Sequence, residues 1–323
     1  MTTDRARLLE AAPVAWLVLA AAFVVMGGQF AVGKLGLAAG LTPHDIVALR
    51  FAGAALVAVP VVLRRGPRDL AGVGWGRGVI LALVAGSPYA LLMYAALRLA
   101  PAAHGALLVP GTGLVVAIAG AALWDGERPG LRRVAGAGVV LAGLGVLTAG
   151  GGDAAVPAAR GDALFVLAGA SWGVFTILVR RWRLDALPAT AAFSILSLAY
   201  LPVYALALEA RVLDAPGSAV LLQAGYQGLL QTVFAFAGYA FAVRRLGAAT
   251  ASTASASIPV LGTLLAIPIA GEWPAAVTWV GLAVVCAGIV VTSTAAVGHG
   301  SATGGGRRRL CRCRRLLYRR PAP

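Results

Sequence analysis

Ten times along its length this chain runs for about 20 residues with almost no charge, which is the length a helix needs to cross a bilayer. The runs are residues 13–33, 42–63, 76–97, 101–123, 131–149, 162–179, 187–208, 219–243, 247–270 and 275–296. They are continuous and do not alternate, so each reads as a helix, whose backbone groups are bonded internally as lipid requires. Composition points the same way. Only 12% of the residues are charged and 60% are hydrophobic, against about 25% charged in a soluble domain. A chain of 323 residues this apolar cannot hide its surface in its own core. The expectation is an all-α integral membrane protein of ten transmembrane helices. Residues 1–26 have the charge-then-apolar order of a secretory signal. No small-x-small site ends that run, so it is read as the first span.

The formal net charge of +15 suggests nucleic acid until the bases are placed. With the N-terminus in the cytoplasm and ten crossings, 22 of the 27 bases fall inside. Four fall outside: Lys34, Arg98, Arg160 and Arg211. Arg50 lies within the second span, where it could steer an anion, although snorkelling or a pair with Asp45 is the favoured reading. This asymmetry obeys the positive-inside rule and puts both termini in the cytoplasm, in the plasma or inner membrane. The tail RRRLCRCRRLLYRR suits anionic lipid rather than nucleic acid.

The chain also repeats itself. GERPGLRRVAGAGVVLAGLGV at 126–146 matches GEWPAAVTWVGLAVVCAGIVV at 271–291. Gly136 maps onto Gly281 and Gly143 onto Gly288, at a shift of 145. Met26-Gly27 and Lys34 map onto Trp172-Gly173 and Arg180 at a shift of 146, and Tyr94 maps onto Tyr239. Five spans separate the copies, so the second must be inverted. That explains why Arg128, Arg132 and Arg133 of the first copy have no counterparts in the second. The organisation is thus a cytoplasmic segment 1–12, a five-helix half 13–149, a linker 150–160, a second half 161–296, and a basic tail 297–323. Inverted repeats mark secondary transporters, with substrate bound near the midplane between the halves.

Two five-span repeats, each with Gly-Glu before a Gly-containing last span, resemble the EamA-type transporters of the drug/metabolite transporter superfamily. Gly126-Glu127, Gly271-Glu272, Trp172-Gly173, Arg50 in ALRFAGAALV and Pro259 in SIPVLGTLLAIPIAGE carry the resemblance. It covers nearly everything but the tail. It implies transport of small metabolites, often export of amino acids or related compounds. Two features depart from the pattern. Met26 stands where the first repeat often has Trp, and Pro110 is 17 residues from Glu127 whereas Pro259 is 13 from Glu272.

Polar groups inside lipid are costly and tend to face a cavity or another helix. Gln223, Gln227 and Gln231 fall on one helical face. Gln227 and Gln231 are expected to line a polar path, and Gln223 to sit at the interface. In the ninth span Pro259 cannot bond the Ser255 carbonyl, which is left for substrate together with nearby hydroxyls. Thr112 beside Pro110 repeats the idea in the fourth span. Tyr94, Trp172 and Tyr239 are candidate aromatic walls, and Gln29 a further contact. The expected substrate-binding set is therefore Gln29, Tyr94, Thr112, Trp172, Gln227, Gln231, Tyr239, Ser255 and Pro259.

Glu127 and Glu272 fall at helix starts and read as structural. His104 reads as a surface histidine in a short loop, and no acid lies at mid-membrane. The rival reading is a polytopic membrane enzyme or a lipid-flipping protein. An enzyme needs converging nucleophiles or metal ligands. Here His44, His104 and His299 are scattered, Cys286, Cys311 and Cys313 suggest no disulfide framework, and no HExxH or P-loop occurs. The expectation is a carrier and not an enzyme, with no cofactor, no metal and no nucleic acid. Its partners are a small-molecule substrate and the bilayer, and a homodimer is left open.

Overall fold

The computed structural model describes residues 2–124, 126, 129–149, 155–208 and 210–300. Glu127, Arg128, part of the linker and the tail with Cys311 and Cys313 lie outside the described residues. The described chain is helical, with no strand among the described residues. In order come α1 (Thr2–Ala38), α2 (Pro43–Arg65), α3 (Trp75–Ala85), α4 (Ser87–Leu99), α5 (Ala102–Trp124), α6 (Leu131–Ala149) and α7 (Ala155–Arg181). There follow α8 (Ala186–Ser197), α9 (Tyr200–Ala207), α10 (Gly217–Gln223), α11 (Ala235–Leu246), α12 (Ala248–Ala254), α13 (Ser257–Ala270) and α14 (Ala276–Gly300).

Among the described residues, nine helices or helix pairs are long and apolar enough to cross a membrane. The tenth crossing, expected at 219–243, is continuous helical backbone whose middle is wider: α10, then a π-helical stretch Ala224–Phe234, then α11. Other crossings are interrupted. Gly86 separates α3 from α4, and the Ser197 hydroxyl enters the gap and accepts a hydrogen bond from Ser87 N at 3.1 Å. α2 begins as its sequence dictates. Pro43 occupies the first turn, Thr42 Oγ1 accepts from Asp45 N, and Thr42 N donates to Asp45 Oδ2 at 2.7 Å.

Contacts fix the helix directions. Lys34, near the end of α1, touches the end of α4 and Glu272 just beyond α13, and Glu272 touches Ala102 at the start of α5. So α1, α4 and α13 end where α5 begins. α5 runs parallel to α7, with Gly113 against Gly169 and Gly120 against Ile177. Hence α7 is antiparallel to α1, its counterpart in the repeat, and the second half is inverted in three dimensions. The Arg pairs that end α2, α7 and α11 lie together at the opposite end from Lys34.

The two halves meet most closely where α6 crosses α14. A Cβ on Gly136 would fall 2.9 Å from Gly288 O, and one on Gly288 would fall 2.9 Å from Gly136 O. Gly143 and Gly281 reciprocate in the same way. Exchanging the halves turns the first pair into the second, so the crossing sits on a pseudo-two-fold axis. Small residues allow this backbone approach, which supplies the packing that lipid cannot drive.

Candidate functional site

Near mid-height, α1, α2, α4, α5, α7, the π-helical stretch, α11 and α13 enclose a cavity of about 90 Å³. Met26 and Trp172, equivalent positions of the two halves, face into it together. Trp172 anchors an aromatic wall. Its ring centroid lies 4.8 Å from that of Phe175, 5.3 Å from Phe236 and 5.5 Å from Tyr89. Phe236 and Tyr89 line the cavity as well. The departure at Met26 therefore leaves one wall aromatic and the facing one aliphatic and pliable.

The polar floor is Arg50. It does not snorkel, and it does not reach Asp45. Seven residues beyond Pro43, it lies about 10 Å below the start of α2, and only 2% of it is exposed. Asp45 is fully engaged elsewhere. Its carboxylate accepts from Thr42, from the Tyr204 hydroxyl and from Arg211 N. Arg50 Nη1 donates to Tyr94 Oη at 3.3 Å, its Nε has no partner, and it makes no ion pair with a described acid. Sequence reasoning left Arg50 out of the site. The available signal was its distance from the helix start, too far for easy escape to the surface.

Three amides face this cation or stand behind it. Gln29 and Gln231 line the cavity, and the Oε1 atoms of both are buried and unpartnered. Gln227 stands one layer back, fully buried, donating from Nε2 to Gln29 O at 2.9 Å. Gln223 lies at the level of Val32 and Gly36 near the end of α1, buried between helices, and donates to Val32 O at 2.7 Å, tying α10 to α1. The π geometry sets these positions. Thr232 Oγ1 donates to Gln227 O, five residues back, across the widened turn. Gly53 and Gly228 bring this stretch into backbone contact with α2, where Cβ atoms would fall 2.3 Å from Ala224 O and 2.8 Å from Arg50 O.

A second cavity of about 350 Å³ adjoins the first and shares Met26, Trp172, Phe236 and Ile258 with it. Tyr239 and Ser255 line it, and it extends past Val179 to Ala186 at the arginine-rich end. The carbonyl of Ser255 is not free, however. The chain turns between α12 and α13, and Ile258 N bonds Ser255 O at 3.0 Å. The hydroxyls patch the same break, Ser255 Oγ donating to Ser252 O and Ser257 Oγ to Ala254 O. Pro259 is buried in the first turn of α13 and lines neither cavity. Thr112 packs at the α5–α7 contact, beside Gly169. Of the expected set, Gln29, Trp172 and Gln231 share the central cavity, Tyr239 and Ser255 the adjoining one, and Tyr94 and Gln227 back the first. Phe30, Tyr89 and Phe236 complete it.

His104 lies within α5 and not in a surface loop. Its Nδ1 is 2.8 Å from Asp162 Oδ1. Glu272 is structural in its contacts, and the helix it caps is α5, through Ala102 N at 2.6 Å.

Two inverted helical halves closing on a buried cation-lined cavity define the class: an integral membrane transport protein. Residues 13–149 and 159–294 each match the model of the EamA-like transporter family. The chain belongs to that family, within the drug/metabolite transporter superfamily. A protein of Pseudomonas aeruginosa, described only as uncharacterized, is 33% identical over 230 residues, covering 71% of this chain and 76% of its own. A solved crystal structure, described simply as that of a protein, superposes with a TM-score of 0.55 at 26% identity, over 86% of this chain and 96% of its own.

Proposed function

We propose that the protein is a secondary carrier that exports small zwitterionic metabolites, amino acids or related compounds, by alternating access. One observation carries this reading: a buried guanidinium that faces a cavity and has no acid beside it among the described residues. An uncompensated charge in that setting is costly, and a substrate carboxylate would neutralise it with two charge-assisted hydrogen bonds. The unpartnered oxygens of Gln29 and Gln231 are acceptors, suited to an ammonium group in the same pocket. The Tyr89, Trp172 and Phe236 rings would take the substrate's apolar part or its cation. The arginine-rich end faces the cytoplasm in this reading, so the adjoining cavity is the inner vestibule.

The test is uptake and efflux across a panel of amino acids, amines and small anions in proteoliposomes, with and without a pH gradient. Saturable flux of zwitterions, with amines and simple anions excluded, supports the proposal. Flux of a bare cation with no need for a carboxylate overturns the role given to Arg50. Movement of labelled phospholipid without solute flux favours the lipid-flipping alternative.

A further inference from the structure

At the end of the bundle away from the arginines, the halves are held together by charged groups that the binding cavity does not use. Lys34 Nζ lies 3.1 Å from Glu272 Oε1 and donates to Leu97 O at 2.8 Å and Ala100 O at 3.0 Å. All three ammonium protons are thereby used. The other oxygen of Glu272, Oε2, accepts from Ala102 N at 2.6 Å. Two residues into the same helix, His104 meets Asp162 of α7. Lys34, Ala102 and His104 belong to the first half, and Glu272 and Asp162 to the second. Beside them the backbone of α7 lies against the end of α4, since a Cβ on Gly161 would fall 2.6 Å from Ala100 Cβ and 2.9 Å from Ala100 N. Contacts of Glu272, Asp162 and Gly161 thus join the halves on this side of the bundle, while the adjoining cavity runs towards the other end.

We infer that Lys34, Glu272, His104 and Asp162 are the outer gate of the carrier, closed in this structure, and that parting these pairs opens the cavity to the outside. The inference rests on the alternating-access reading above. In that reading the halves must separate at this end once per cycle, and these are among the polar bonds that separation breaks, together with those of Asp45 to the Tyr204 hydroxyl and Arg211 N. Their depth suits the task. A fully buried ion pair would be too costly to part, because each charge would be stranded. Lys34 and Glu272 keep about a quarter of their side chains exposed, so water replaces each lost partner. His104 and Asp162 are deeper and make the inner layer of the gate.

The experiment places a single cysteine at Ala106, a buried position on α5 between Ala102 and the cavity-lining Val109, in a chain whose three cysteines are replaced by serine. Proteoliposomes containing it are treated from outside with an impermeant maleimide. Glu272→Gln, or Lys34→Met, should raise the labelling rate about tenfold, the loss of one charge-assisted contact. The Tm in detergent and the equilibrium affinity for substrate should be unchanged. Equal labelling of parent and variants in folded protein overturns the gate. So does a rise that merely follows a fall in Tm, since that is the mark of a structural tie. Should Glu272→Gln fail to fold, cysteines at Lys34 and Glu272 joined by a short cleavable bis-maleimide give a second measurement. Transport should stop on joining and return on cleavage, and uninterrupted transport in the joined protein refutes the proposal. Labelling needs no substrate, so a gate that responds in a protein with no solute flux would count against the carrier reading alone.

Discussion

A guanidinium about 10 Å inside a bilayer has to be matched by something. Around Arg50 the described protein offers the Tyr94 phenol, the Tyr89 phenol across the cavity and the ring of Phe51, whose centroid is 6.0 Å away. None of these is an anion. Arg50→Gln should therefore weaken binding of a carboxylate substrate by about 2–5 kcal/mol, roughly 30- to 5000-fold. Binding to purified protein by calorimetry would measure it, and an unchanged affinity would show that the cation is matched from elsewhere. Arg50→Lys should recover only part of the loss, because a point charge cannot copy the planar fork. The glutamines should divide. Gln231→Leu removes an amide that faces the cavity and should weaken binding. Gln227→Leu removes a bond to the α1 backbone and should lower stability by about 1 kcal/mol, with a smaller effect on binding. Equal binding losses in the two would mean that Gln227 turns into the site during the cycle.

At the scale of elements, α6 and α14 carry glycines on two kinds of face. Gly143 is packed against Gly281 and Val285, where a Cβ would meet the Val285 backbone N at 2.9 Å, while Gly145 has nothing within 4 Å of such an atom. Gly143→Ala must push the helices apart and should cost about 1–3 kcal/mol. Gly145→Ala should be neutral or stabilising by up to about 1 kcal/mol, through helix propensity. Thermal unfolding in detergent would separate them, and parallel shifts would contradict the crossing. This element was half legible in the sequence. The repeat marked Gly136, Gly143, Gly281 and Gly288 as equivalent, and only the antiparallel crossing revealed that each meets the other's partner. The π-helical stretch was not legible at all, because its residues read as an ordinary apolar helix. Two contacts accompany it, one tertiary, the backbone approach at Gly53 and Gly228, and one local, the Thr232 hydroxyl bond to Gln227 O. The break before α13 was signalled by Pro259, yet the carbonyl it was expected to free is taken by Ile258 N.

For the molecule as a whole, topology is the part that sequence carried furthest, since apolar length and arginine placement obey the bilayer rather than details of packing. The relative directions of α1, α4, α5, α7 and α13 fit an inverted second half, and the cavity lies at the meeting of the halves. Which polar residues face that cavity was harder to read, because facing depends on local kinks that a helical wheel does not contain. The structure gathers the arginines that end α2, α7 and α11 at one end and the Lys34–Glu272 pair at the other, and the sign of the membrane is then set by charge alone. Lys34 does not weaken that asymmetry, since Glu272 neutralises it. The arginine-rich end should accordingly be cytoplasmic. Single cysteines at Ala155, before the α7 crossing, and at Ala186, after it, fall on opposite ends. In intact cells an impermeant maleimide should label the cysteine at Ala155 and leave the one at Ala186 until the membrane is opened. Labelling of Ala186 alone would invert the whole assignment, turning the inner vestibule into an outer one and the export reading into uptake. Equal labelling of both would contradict the crossing by α7 and, with it, the inversion of the second half.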